Sequence, residues 1–239
     1  YPLRRQRQMC IRDRRYGHNR ITDVGGILMF NTSQLPLRGW SPFIKRCEDL
    51  LLASIGLLLL SPVMLATAIA IKLDSKGPVL FRQKRFGYND NLIRVFKFRS
   101  MYVEQTDLNA ENQTTRQDPR ITRVGRIIRK TSIDELPQLF NVLLGNMSMV
   151  GPRPHATATK AAGVPFEQAV SEYSSRHRVK PGITGWAQIN GYRGETDTLF
   201  KIQKRVEYDL EYIAKWSVWL DLYIVFMTVP AVLSTKEVY

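Results

Sequence analysis

From Leu50 to Ile71 the chain reads LLLASIGLLLLSPVMLATAIAI, a run without a single charged residue. As a helix these residues would extend about 33 Å, enough to cross the hydrocarbon core of a bilayer. The run has an internal flaw. Pro62 has no N–H to offer the Leu58 carbonyl, and its ring presses on the preceding turn, so Ser61-Pro62 marks a break near the middle. Both flanks are basic: Lys45 and Arg46 precede the run, and Lys72, Lys76, Arg82, Lys84 and Arg85 follow it. A spanning helix concentrates its cations on one side. Cations at both ends predict a segment over about 46–74 that dips into a membrane, breaks at Ser61-Pro62 and returns to the face it left.

The remainder is not a membrane sequence. Hydrophobic residues make up 44% of the 239, too few for a protein of several spans. The formal net charge of +14 points to anionic partners: nucleic acid, anionic lipid headgroups or phosphorylated substrates. Cys10 and Cys47 are the only cysteines, which excludes a disulfide framework. No recognised nucleic-acid-binding module is present, and the apolar run argues against that class.

Three regions are expected. Residues 1–20 hold seven arginines and one aspartate without either periodicity, and read as a disordered or non-native basic prefix. Residues 21–40 read as one apolar strand and a Pro/Gly linker, the stub of a missing upstream domain. Residues 41–239 form the main domain. Within it, VLFRQKRFGYNDNLIRVFKF predicts two short strands around a turn at Gly87–Asp90. Residues 103–120 are a polar excursion, and 121–145 hold a basic helical segment and then an apolar one. Gly151-Pro152-Arg153-Pro154 is a rigid turn. A helix is expected around Phe166–Arg178, an amphipathic helix over Thr196–Lys215, and an apolar, interfacial or packed helix over Trp216–Leu233.

The chemistry centres on Asp134-Glu135 in RKTSIDELPQLFNVLLG. Ser132 with Glu135 three residues on has the form of a capping box, so the pair has a purely structural reading. Pro137 so early in the next helix points instead to a specially shaped backbone around the acids. Arg123, Arg126, Arg129 and Lys130 lie upstream, and Arg153 is pinned downstream between prolines. Lys97 and Arg99 alternate with Phe96 and Phe98, which places both cations on one strand face. Lys84 and Arg85 join them as candidate phosphate or substrate contacts. Arginine forks match phosphate oxygens, and a carboxylate pair among cations suits phosphoryl transfer: one acid as nucleophile, its neighbour helping to hold Mg2+. There is no G-x-x-x-x-G-K-[ST] loop, no kinase motif set and no Cys/His cluster; His177, in Arg176-His177-Arg178, reads as a surface residue.

The order KR-x-x-D (45–49), the Ser-Pro break (61–62), IKLDSKGPVLFRQKRFG (71–87), KFRSM (97–101), TRVGRIIRKTSIDELPQLFNVL (122–143), MSMVGPRP (147–154), PGITGWAQING (181–191) and WSVWLDLYI (216–224) closely resembles the bacterial polyprenyl-phosphate sugar-1-phosphate transferases, the monotopic phosphoglycosyl transferases. The match covers about 41–239. The resemblance implies an α-rich α/β globule seated on the cytoplasmic face of the bacterial inner membrane by a re-entrant helix-break-helix and amphipathic helices. It implies transfer of a sugar-1-phosphate, glucose favoured, from a UDP-sugar to undecaprenyl phosphate with release of UMP, with Mg2+ as cofactor, at the first step of exopolysaccharide synthesis. Asp134 then corresponds to the nucleophile that carries a covalent phosphosugar, Glu135 to its partner acid and fellow metal ligand, Arg129 and Arg153 to phosphate contacts, and Ser61-Pro62 to the helix break. The implied partners are UDP-sugar, undecaprenyl phosphate and anionic membrane lipids, with no nucleic acid and with homo-oligomerisation left open. Asn146 stands where the family often has Asp, and Asn91 where it often has Gly. The rival class is a non-catalytic basic scaffold at a membrane surface.

Overall fold

The computed structural model describes residues 20–24, 27–31, 37, 39–103, 118–155, 160–161, 164–166, 170, 172–194 and 198–233. The basic prefix up to residue 19 and most of the polar excursion lie outside these. The chain divides into two compact units, Tyr1–Leu35 and Pro36–Tyr239.

In the first unit, β1 (Arg20–Val24) and β2 (Ile27–Asn31) form an antiparallel hairpin with Val24 opposite Ile27. Two strands stand where the sequence suggested one. Gly25-Gly26 separates them, and a two-residue glycine connection is a hairpin signal that the uniformly apolar run concealed.

The second unit begins with α1 (Ser41–Asp74), a helix of 34 residues opened by Pro42 in its first turn. Among the described residues it is the one helix long and apolar enough to cross a membrane. The helical assignment runs through Pro62 without the expected interruption. Ser61 supplies a physical reason: its Oγ donates to the Leu58 carbonyl at 3.0 Å, the acceptor that Pro62 leaves without an N–H.

One stripe of α1 is buried in both halves of the helix and half-buried at Leu57 and Leu60 between them. Ala53, with Leu57 and Leu60 beside it, packs on Val95, Leu139, Val142 and Met147. Further on, Met64 and Ile71 pack on Phe98 and Ile128. The opposite stripe, including Leu51, Leu58, Leu59, Leu65 and Leu73, is exposed. Both ends of the helix are tied to the globule. Near the start, Arg46 donates to the Val142 and Leu143 carbonyls at 2.6 and 2.8 Å, satisfying the C-terminal end of a helix introduced below. At the far end, Asp74 Oδ2 accepts from the Val124 N–H at 3.1 Å.

β3 (Leu80–Phe86) and β4 (Leu92–Phe98) pair antiparallel around Tyr88–Asp90, as the alternation predicts. α2 (Arg123–Lys130) is N-capped by Thr122, whose hydroxyl accepts from Gly125 N at 2.9 Å. A short 3-10 turn (Ile133–Glu135) follows, then α3 (Gln138–Leu143) and β5 (Ser148–Val150). A minimal hairpin, β6 (Lys160–Ala161) with β7 (Val164–Pro165), comes next; of the helix expected around Phe166–Arg178, Tyr173–Arg178 forms a 3-10 turn and 167–169 and 171 lie outside the described residues. β8 (Gly182–Thr184) pairs in parallel with β5. α4 (Trp186–Ile189), α5 (Leu199–Lys215) and α6 (Val218–Leu233) complete the unit.

The start of α1 and the C-terminal helices meet in a buried polar hub. Lys45 pairs with Asp49 at 3.1 Å and with Asp221 at 2.7 Å. Asp221, fully buried on α6, also accepts from Tyr212 at 2.8 Å and Trp216 at 3.0 Å. Asp49 accepts from the Ser148 hydroxyl and the Met149 N–H. A charge inside the apolar Trp216–Leu233 segment is thereby explained by its partners.

Candidate active site

The acid pair lies on the 3-10 turn between α2 and α3. Ser132, ahead of it, is left-handed at φ 56°, ψ 19°, and Pro137 is the N-cap of α3. The expected capping box is not formed. Ser132 makes no cap hydrogen bond, because a left-handed residue turns its side chain away from the following amides. Glu135 is drawn instead to two cations. Lys97 Nζ donates to its Oε1 at 2.9 Å, Arg153 Nη1 donates to Oε2 at 2.8 Å, and Arg153 Nη2 donates to Oε1.

Arg153 is held by tight backbone packing. A Cβ on Gly182 would lie 2.1 Å from Gly151 N, so the chain entering the Gly-Pro-Arg-Pro turn sits directly against β8. The Pro152 carbonyl accepts from Gly182 N at 3.0 Å. On the other side, Arg85 donates to the Pro154 carbonyl at 2.5 Å while Gln83 Oε1 accepts from the same guanidinium at 2.8 Å.

The two carboxylates differ in how readily they ionise. Burial would raise Glu135, but the Arg153 and Lys97 charges and their hydrogen bonds overcome it and hold Glu135 well below the usual carboxylate range. Asp134 accepts no hydrogen bond from the described residues. Burial pushes it up to about 6, against the opposing pull of Lys97; Glu135 raises it further, and Arg129 and Arg153 lower it. Burial also lowers Lys97, and burial with the neighbouring Arg153 brings Arg85 down to about 10. The cleft thus presents one locked acid and one carboxylate open to an incoming group, both faced by cations.

Of the candidates from sequence, Asp134, Glu135, Lys97, Arg85, Arg129 and Arg153 come together. Arg99 does not. It lies on the strand face that also carries Lys97, yet it is buried and donates to the Lys76 carbonyl at 2.5 Å and to the Ser75 carbonyl and hydroxyl at 2.8 Å. Its task is to fasten the end of α1 to β4. Lys84 is exposed, on the opposite side of β3 from Gln83 and Arg85.

A second buried layer behind Arg153 was not foreseen. Arg176 donates to the Arg153 carbonyl at 2.6 Å and pairs with Asp209 at 2.8 Å. His155 lies between Arg176, at 2.7 Å from Nδ1, and Arg205, at 2.9 Å from Nε2; burial and these two charges keep it neutral, well below its ordinary value. His177 is buried as well, paired with Asp90 and stacked on Phe86, which corrects its reading as a surface residue. One signal was available. Ile202, Arg205, Val206 and Asp209 share the buried face of α5, and charges at core positions of an amphipathic helix call for partners.

A metal test gives a definite limit. Among the described residues no cluster of three or more His, Cys, Asp or Glu side chains forms a metal cage. The two carboxylates are nonetheless hard oxygen donors, and Glu135 Oε2, with one hydrogen bond from Arg153, keeps a lone pair. Mg2+ characteristically binds one or two carboxylates together with substrate phosphates and water, so the donor set fits a shared site and not a closed one.

The second unit is helix-rich α/β, with one long apolar helix and an acid pair lined by arginine and lysine. Residues 40–235 match the bacterial sugar transferase family, and the chain belongs to that family. It is 52% identical over 222 residues to the UDP-glucose:undecaprenyl-phosphate glucose-1-phosphate transferase of Escherichia coli K12, an alignment covering 93% of this chain and 47% of that protein. It is 55% identical over 204 residues to the undecaprenyl-phosphate glucose phosphotransferase of Komagataeibacter xylinus, covering 85% and 38%. A shorter relative, the exopolysaccharide production protein PSS of Rhizobium leguminosarum bv. phaseoli, is 49% identical over 191 residues, covering 80% of this chain and 96% of that protein. The chain spans less than half the length of the first two.

Proposed function

We propose that this chain transfers a sugar-1-phosphate from a UDP-sugar to undecaprenyl phosphate through a covalent intermediate on Asp134. The observation that carries the reading is the Asp134 carboxylate: half-buried, faced by Lys97, Arg129 and Arg153, with no hydrogen bond from the described residues, beside a Glu135 already committed to Lys97 and Arg153. In the first displacement an Asp134 oxygen bonds to the sugar-linked phosphorus, and the bond from that phosphorus to the bridging oxygen breaks, releasing UMP. In the second, an oxygen of undecaprenyl phosphate bonds to the same phosphorus, the acyl phosphate breaks, and Asp134 is regenerated as carboxylate. Two doubly charged reactants give two doubly charged products, so no net proton moves. Arg153, Lys97, Arg85 and Arg129 neutralise the phosphates. Asp134 and Glu135 would hold Mg2+ jointly with the diphosphate, and when bound the ion supplies further charge neutralisation.

Glucose is the favoured sugar. Two relatives at 52% and 55% identity carry glucose in their names, whereas a relative named for N-acetylgalactosamine is 45% identical and one named a galactosyl transferase 42%. The deciding experiment gives UDP-glucose, UDP-galactose, UDP-N-acetylglucosamine and UDP-diacetylbacillosamine to the membrane-bound protein with undecaprenyl phosphate and reads UMP release. UDP-glucose is expected to give the highest kcat/KM. Absence of product from every donor would favour the scaffold reading.

The seat is proposed to be the cytoplasmic face of the inner membrane, with α1 re-entrant and anionic lipids below. Supporting this, both halves of α1 pack on one globule and both ends are hydrogen-bonded to it, whereas a straight crossing would carry half the helix away. The exposed stripe of α1 and Trp219, Phe226 and Val229 on α6 offer apolar surface to a bilayer. Single cysteines at the exposed Trp40 and Lys76, in a Cys10→Ser, Cys47→Ser background, are expected to react with an impermeant maleimide from the same side of sealed vesicles; labelling from opposite sides would refute re-entry.

The raised Asp134 fixes the acid limb of the first half-reaction. The nucleophile must be ionised, so UMP release in a single turnover without acceptor is expected to fall about tenfold per pH unit below about 6. Omitting the acceptor removes its own phosphate ionisation, also near pH 6, from the profile. An acid limb near 4 would show that Asp134 titrates as an ordinary carboxylate.

A further inference from the structure

Ser132 holds φ 56°, ψ 19°, a left-handed conformation that a non-glycine residue keeps only where its surroundings impose it. Asp134 follows two residues later, so these dihedrals set the direction in which the 3-10 turn leaves α2 and aim the carboxylate. The turn itself is closed by thin bonding, Glu135 N to the Ser132 carbonyl at 3.2 Å and Leu136 N to the Ile133 carbonyl at 3.1 Å. What grips Ser132 comes from far along the chain. Arg193 Nη2 donates to Ser132 Oγ at 2.5 Å across a separation of 61 residues.

Arg193 is itself fixed in place. The carbonyls on either side of it, of Tyr192 and Gly194, accept from Arg205 at 2.9 and 3.0 Å. Arg205 lies against His155, His155 against Arg176, and Arg176 donates to the backbone of Arg153. One buried network therefore holds the arginine that grips Glu135 and, at its other end, the arginine that grips the residue ahead of Asp134.

We propose that Arg193 is a positioning residue for the Asp134 displacement: by binding Ser132 Oγ it keeps Ser132 left-handed and holds the carboxylate in line for attack. The inference rests on the transfer reaction proposed above. Arg193 needs no contact with either substrate to act in this way, which separates it from the cations facing the acid pair.

A double-mutant cycle with Ser132→Gly tests it, because glycine adopts positive φ without a restraining contact. In the otherwise unaltered protein, Arg193→Ala is expected to lower kcat on the order of a hundredfold with donor KM unchanged. In the Ser132→Gly background, whatever rate that variant sets, adding Arg193→Ala is expected to change kcat by no more than about a factor of two. Arg193→Lys, which retains a donor for Ser132 Oγ, is expected to recover part of the loss. Equal losses in both backgrounds, or a raised donor KM with kcat retained, would overturn the proposal. Hydrogen exchange of the full membrane-bound protein gives a readout independent of turnover. Arg193→Ala is expected to speed exchange at the Glu135 and Leu136 amides, and not to do so once Ser132 is glycine. Equal acceleration in both backgrounds overturns the positioning role. A wild-type protein that turns over no donor overturns the transfer reading, and the exchange cycle still decides whether Arg193 restrains the turn. If Arg193→Ala fails to accumulate, the Lys variant carries the same comparison.

Discussion

Asp134→Asn is expected to abolish transfer, lowering UMP release at least about a thousandfold, while the protein stays folded and membrane-bound. The side chains are nearly isosteric, and asparagine has no anionic oxygen to form the acyl phosphate. Because Asp134 accepts no hydrogen bond from the described residues and desolvation disfavours its charge, removing that charge is expected to leave the thermal midpoint unchanged or raised. Glu135→Gln supplies the contrast. It removes the counter-charge from Lys97 and Arg153 together, and is expected to destabilise the protein by about 3 kcal/mol as well as slow it. Thermal unfolding in detergent beside a UMP-release assay reads both. Retained turnover in Asp134→Asn would sink the nucleophile assignment, and a matching loss of stability in the two variants would sink the division of roles between the acids.

The second large expected effect on stability lies away from the site, at Asp221. It is fully buried, ion-paired with Lys45, and accepts from Tyr212 and Trp216. Asp221→Ala takes from the buried Lys45 ammonium the nearer of its two carboxylates, from Tyr212 one of its two acceptors and from the Trp216 N–H its acceptor, and is expected to cost about 3 kcal/mol. The loss should appear as a lower thermal midpoint and as protease sensitivity of α6, since this contact joins α6 to the start of α1. A paired replacement, Lys45→Met with Asp221→Leu, is expected to recover part of the stability, because it removes the ammonium together with its nearer carboxylate while Asp49 keeps the Ser148 and Met149 donors. A wild-type midpoint in Asp221→Ala would mean that the hub contributes nothing to docking α6.

Local signals carried much of the fold. The β3–β4 hairpin was visible as alternation around Gly87–Asp90, α5 as an amphipathic period, and α1 as an uncharged run. What they could not convey was which partner a residue meets. Lys97 and Arg99 have the same spacing, charge sign and strand face, yet one joins an acid 38 residues away and the other the end of a helix 23 residues back. Ser132 and Glu135 satisfied the form of a capping box and did not make one, since a left-handed backbone at Ser132 and two cations around Glu135 outweighed the local bond. The charged positions inside α5 were legible as unusual, but their network with His155 was not.

Residue order alone determined that this chain holds an uncharged apolar run with a proline inside it, a strongly basic balance, and an acid pair flanked by arginines. These depend on neighbours within a few residues, where covalent connection fixes proximity. Only the tertiary structure decided that Glu135 is locked while Asp134 is open, that Arg153 serves the site and Arg99 does not, and that both halves of α1 pack on one globule. Those outcomes are competitions among buried charges for few partners, and burial and pairing are properties of the folded chain.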